Sequence, residues 1–101
     1  MSTQVIVDEA EISLGHLERL TEVLRSRGWT VEVSAHADRW PSALVANPGM
    51  TLFNESVIAV REPSDGSWSY FYGWGERIAP CTEPEAAAAL LGRVLDVPAK
   101  G

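Results

Sequence analysis

The sequence predicts an α+β fold: an N-terminal helix, an antiparallel meander of three to four strands, and a C-terminal helix, with both helices on one face of the sheet. Three observations carry this. Apolar residues recur at spacings of three and four between Ala10 and Leu24, and again between Ala87 and Leu95. They alternate with polar residues from Trp29 to His36. Between two further apolar runs, Pro63-Ser64-Asp65-Gly66 has the composition of a hairpin turn.

The elements follow in chain order. Val5, Ile6 and Val7 make the first eight residues either an edge strand or an ordered tail. Ala10, Leu14, Leu17, Leu20 and Leu24 then fall along one side of a helix, with Glu18, Glu22 and Arg25 opposite. Asp8 and Glu11 have the spacing of a capping box. Arg25 and Arg27 suit the negative end of the helix dipole, and Gly28 supplies the stop. From Trp29 the period becomes two, so Val31, Val33 and Ala35 share one face of a half-buried strand with Trp29. Trp40-Pro41 places a loop over 37–42. Ala43–Ala46 reads as a short strand closed by Asn47-Pro48-Gly49.

Val57, Ile58 and Val60 mark a strand over Ser56–Arg61, and Ser67–Ile78 reads as a longer one. Along that longer strand Trp68, Tyr70, Tyr72 and Trp74 share a face, which reads first as core packed against the helices and alternatively as an exposed aromatic platform for a partner. Phe71, Gly73, Gly75 and Arg77 lie on the other face, where the two glycines read either as a bend or bulge that lets the long strand curl or as a shallow groove beside Phe71. Thr82 and Glu85 make a T-x-x-E capping box with Pro84 in the first turn of the last helix. Its stripe is Ala87, Leu90, Leu91, Val94 and Leu95, and Pro98 stops it, leaving 97–101 as a tail.

At 101 residues the chain has room for one core, so 1–101 reads as a single domain. Its charge of −6 repels phosphate backbones and anionic membranes, which argues against nucleic-acid and membrane partners. No apolar run reaches the ~18 residues of a spanning helix. A lone cysteine, Cys81, fits a reducing compartment, and the expected location is cytoplasmic.

Motifs of known chemistry are sparse. Gly73-Trp74-Gly75 lacks the third glycine and the strand-to-helix turn of a dinucleotide fingerprint. His16, His36, Asp38 and Cys81 show no metal-ligand spacing, so neither a metal nor a cofactor is expected. Cys81 precedes a helix N-terminus, where it reads either as a thiol of lowered pKa or as a small apolar residue packed under the helix. His36 with Asp38 could orient a base, but no nucleophile accompanies them, and no catalytic residue is named.

Asn47-Pro48, Asp65-Gly66, Trp68–Gly75 and Ile78-Ala79-Pro80, followed by an alanine-rich helix to Leu95, resemble short uncharacterised actinobacterial proteins. That group has an aromatic strand ending in Trp-Gly-x-x-Ile-Ala-Pro. The resemblance covers about half of the chain. It implies this fold and a bacterial cytoplasmic setting, and it implies no activity.

The leading expectation is a non-catalytic regulatory or adaptor module acting by protein–protein contact or self-association. A homodimer through the hairpin is one form of it. Its contact residues would be Phe71, Gly73, Gly75, Arg77 and Arg61. The alternative is a small-molecule binder or enzyme with a pocket of Trp40, Tyr70, Tyr72, Trp74 and His36. A third reading is an acidic inhibitor or immunity-type protein that blocks a basic partner.

Overall fold

A computed structural model of the chain describes residues 2–36 and 39–95. Helix α1 spans Ser2–Ser26 and α2 spans Pro84–Leu95. Between them run β1 (Thr30–Ser34), β2 (Ser42–Asn47), β3 (Met50–Arg61), β4 (Trp68–Tyr72) and β5 (Arg77–Pro80). The five strands form one antiparallel meander in the order β1-β2-β3-β4-β5, one strand more than the upper expectation. Both helices lie on the same face, burying Val31, Ala43, Val45, Val57, Ala59, Tyr70 and Tyr72 beneath Leu17, Leu20, Leu24, Ala87, Leu91 and Leu95.

The first helix is longer than its sequence pattern suggested. Residues 4–7 are helical, neither strand nor tail, and Asp8 sits inside the helix, where it cannot cap Glu11. The reluctance of valine and isoleucine to be helical amounts to ~0.5 kcal/mol per residue, which a continuing hydrogen-bond ladder overrides. Leu17, Leu20 and Leu24 are fully buried, as their spacing predicts. Two polar residues join them. Thr21 bonds back to the Leu17 carbonyl at 2.8 Å, and Ser13 donates to the Ala59 carbonyl of β3 at 2.7 Å.

The helix ends in a Schellman motif. Gly28 adopts φ +95°, its N–H reaches the Arg25 carbonyl at 3.0 Å, and the Trp29 N–H reaches Leu24 at 3.1 Å. Trp29 is thereby turned onto the core, with its ring 3.5 Å from where a Cβ on Gly92 of α2 would stand.

The β2–β3 turn is held by Asn47. Its side-chain oxygen accepts the Gly49 N–H at 2.8 Å, while its amide donates to the Leu95 carbonyl at 2.9 Å and so ties down the end of α2. Strand β3 starts six residues before the expected Ser56. Pairing jumps from Asn47↔Met50 to Ala46↔Asn54, so residues 51–53 form a bulge with Leu52 86% exposed. An apolar residue facing outward broke the alternation that would have announced the strand.

The hairpin between β3 and β4 is as the turn chemistry predicted. Gly66 takes φ +77° and donates to the Glu62 carbonyl at 2.8 Å, and Asp65 accepts from Ser67. The stretch 67–78, however, is a second hairpin and not one strand. Tyr72 N–H bonds to the Glu76 carbonyl at 2.8 Å, Gly75 N–H to the Tyr72 carbonyl at 2.9 Å, and Gly75 has φ +115°. The glycines therefore serve a reversal, sharper than the bend read from the sequence, and the alternative of a groove on the Gly73/Gly75 side of a continuous strand does not form. A register shift at Tyr70/Phe71 lets both Ile78 and Ala79 of β5 reach buried positions.

At the last helix Pro84 is the first residue, as expected. The Thr82/Glu85 capping box is not made among the described residues; Glu85 instead accepts from Arg27 of α1 at 3.0 Å. The buried stripe is Ala87, Ala88, Leu91 and Leu95. Leu90 and Val94, expected in the stripe, are exposed instead, because the buried side of the helix is centred on Ala87, Ala88, Leu91 and Leu95. The expected stop at Pro98 and the tail 97–101 lie outside the described residues.

Candidate functional site

Among the described residues both helices cover one side of the sheet, and no element lies over the other. Cross-strand partners share a face, so Glu32↔Leu44↔Ser56 form one row of the uncovered side. Ile58↔Phe71↔Arg77 form the next, and Val60↔Ser69↔Pro80 the third. Leu44 is 43% exposed, while Ile58, Val60 and Phe71 are half-buried by their own neighbours. This stripe had a signal in the sequence: Ala43–Ala46 and Val57–Val60 are unbroken apolar runs, which suit strands apolar on both faces.

The sheet edges are less open than the face. In β1 the outward carbonyl of Val31 is occupied by the Arg25 guanidinium at 2.7 Å. β5 is four residues long and ends in a proline, which has no N–H to donate.

Beside the uncovered face lies a cleft of about 390 Å³ lined by Glu9, Trp40, Val60, Arg61, Glu62, Pro63 and Gly66. It forms where the β2–β3 ladder ends at Ala43↔Val57, leaving the Ala59 carbonyl without a strand partner. Trp40 occupies that place, its Nε1 donating to Ala59 O at 3.0 Å, and Ser13 donates to the same oxygen from α1. Arg61 pairs with Glu9. Glu62 accepts from Ser69 Oγ at 2.5 Å and from Arg77 Nε at 3.1 Å. Those two bonds, the serine first, hold its carboxyl below the usual glutamate range.

The structure disperses the residues named from the sequence. Phe71 and Arg77 are paired on the uncovered face, whereas Gly73 and Gly75 belong to the hairpin reversal and Arg61 is engaged by α1. Of the five aromatic and histidine positions, only Trp40 lines the cleft. Tyr70 is fully buried with its hydroxyl donating to the His16 carbonyl at 2.6 Å, and Tyr72 is 6% exposed, so both are core, as strand geometry predicted. Trp74 sits on the hairpin, 65% exposed, stacked on Tyr72 at 5.0 Å and donating to Glu55 at 3.2 Å. His36 is exposed on the loop after β1. Leu44, Ile58, Val60, Glu9 and Glu62 are the contributors that the pattern of motifs passed over.

Cys81 is 3% exposed, and burial pushes its thiol up to about 12, so the small apolar reading holds and the lowered pKa does not. Burial, followed by the charge of Arg19, holds the His16 imidazole below its ordinary value. No group of three or more His, Cys, Asp or Glu among the described residues is placed to hold a metal ion. No helix among them is long and apolar enough to cross a membrane. Compared with protein-family models, curated proteins and solved structures, the chain matches none.

Proposed function

We propose that the chain is a non-catalytic regulatory or adaptor module that works by docking the uncovered face of its sheet against a protein partner with a basic rim. The single observation that carries this is the patch of Leu44, Ile58, Val60 and Phe71, spread over three adjacent rows and left without a covering layer among the described residues. A contiguous apolar face on a small domain costs solubility unless something covers it for part of its working life. The charge of −6 makes a basic partner the better match and sets like charge against a second copy of the chain. An inhibitor of a basic target is the special case in which docking blocks the partner's own site. A lone buried thiol suits a reducing compartment, and a cytoplasmic setting belongs to the same proposal.

The test is capture from a lysate of the source organism with three proteins: wild type, Leu44→Glu on the uncovered face, and Ile12→Glu on α1. Leu44 and Ile12 are similarly exposed, at 43% and 47%, so neither change removes a core contact. A partner retained by wild type and Ile12→Glu but lost by Leu44→Glu supports docking through the face. Equal retention by Leu44→Glu refutes it, and concentration-dependent dimerisation abolished by Leu44→Glu replaces the heterologous partner with a second copy.

A further inference from the structure

Resting on that reading, we infer that the cleft at the end of β3 receives an arginine side chain of the docked partner. Val60 belongs both to the uncovered face and to the cleft lining, so a partner lying on the face reaches the cleft without leaving the surface. The cleft offers three things that a guanidinium group uses together. One is an aromatic wall: Trp40 is tied at Nε1 to the Ala59 carbonyl, which fixes the ring while leaving 36% of the residue accessible. A planar cation stacks on such a surface.

The second is a pair of carboxylates with acceptor capacity to spare. The lining carries two carboxylates, Glu9 and Glu62, against one cation, Arg61. Arg61 is taken up by Glu9, and the bonds to Glu62 from Ser69 and Arg77 both fall on Oε2. The third is size. A volume of about 390 Å³ is at the low end for a ligand pocket and accommodates one long side chain sooner than a cofactor. Arg77 neutralises part of the Glu62 charge from outside the lining, so the selectivity comes from stacking and the forked donors as much as from net charge.

The experiment is a titration of the full chain, labelled with nitrogen-15, with N-acetyl-arginine methylamide, read by proton–nitrogen correlation spectra. The expected result is a saturable shift of the Trp40 indole N–H and of the Val60, Glu62 and Gly66 amides. The dissociation constant should be on the order of 10 mM, as one stacking contact with one ion pair allows. The corresponding citrulline compound, equal in shape and uncharged, should bind at least ~5-fold more weakly, and Glu62→Gln should weaken arginine binding by a similar factor. Equal shifts with citrulline, equal binding by the lysine analogue, or no curvature toward saturation by about 100 mM would each overturn the assignment. The citrulline contrast uses the wild-type chain and so does not depend on any variant folding. The probe does not contact Leu44, so the cleft can fail while docking through the face survives, and the reverse.

Discussion

The Ala59 carbonyl is where the helix, the loop and the sheet are stitched together, and a double-mutant cycle there has a definite expected outcome. Ser13 Oγ at 2.7 Å and Trp40 Nε1 at 3.0 Å both donate to this one oxygen, which has no strand partner on that side because the β2–β3 ladder ends at Val57. Ser13→Ala removes one donor from a fully buried site and leaves the carbonyl satisfied by Trp40. Its cost is about 1 kcal/mol for the bond, less ~0.5 kcal/mol that alanine returns in a helix interior. Trp40→Phe keeps most of the ring cover, loses the other bond, and costs about 1 kcal/mol. Together they leave a carbonyl with no donor under a ring that still excludes water, which adds the desolvation cost of ~1–3 kcal/mol. The double variant should therefore be less stable than the sum of the singles by at least about 1 kcal/mol, or ~4–8 °C in Tm for a domain of this size. Urea unfolding followed by circular dichroism supplies the four free energies. Additivity within ~0.5 kcal/mol would mean that water reaches the oxygen once a donor leaves, and that the two bonds do not share one buried acceptor.

Two further expectations concern the second hairpin and the buried thiol. A Cβ on Gly73 would stand 3.1 Å from both Cβ and Oγ of Ser56, while the Gly73 N–H is held to the Ser56 carbonyl at 2.7 Å; Gly73→Ala should cost about 1–2 kcal/mol, and adding Ser56→Gly should recover at least half of it. No loss of stability in Gly73→Ala would remove the steric account of that turn. At pH 8 the Cys81 thiolate fraction should be about 1000-fold lower in the folded chain than in the unfolded one, given a shift from 9.0 to about 12. Iodoacetamide should accordingly label Cys81 slowly until urea is added, and a native rate within ten-fold of the unfolded rate would contradict its burial. The same shift has a sign for stability: above pH 9 the unfolded thiol loses its proton while the folded one keeps it, so the unfolded state binds fewer protons and stability falls as pH rises. Tyr70, raised by burial from 10.0, acts in the same direction in a higher window. His16, lowered from 6.5, takes stability away as pH falls below that value, so a maximum between about pH 7 and 9 is expected by thermal unfolding.

Much of the architecture was legible because it rests on local periodicity. The leucines of α1, the alternation of β1, the Gly66 turn and Pro84 at the head of α2 each state their conformation within a few residues. The misses share a different cause. Trp68, Tyr70, Tyr72 and Trp74 keep a period of two that reads the same whether the chain continues or reverses after Tyr72, and what distinguishes the two is the pairing across the turn, such as the bond from Tyr72 N–H to the Glu76 carbonyl. Glu85 could cap its own helix or pair with Arg27, and its choice depends on α1 lying alongside α2.

The candidate site was less legible than the fold. Glu9 and Arg61 are far apart in sequence, and nothing in either neighbourhood announces that they meet beside Trp40. By itself the sequence determined the order of helix, antiparallel strands and helix, and that Tyr70 and Tyr72 turn inward, because burial of apolar surface imposes its period on each element separately; it did not determine that residues 4–7 are helical or that 67–78 holds two strands. The tertiary structure alone decided which face of the sheet stays uncovered and where the ladder between β2 and β3 stops short. Those are properties of how long neighbouring strands run beside one another, and the Ala59 carbonyl and the cleft around it exist only because β2 begins too late to reach them.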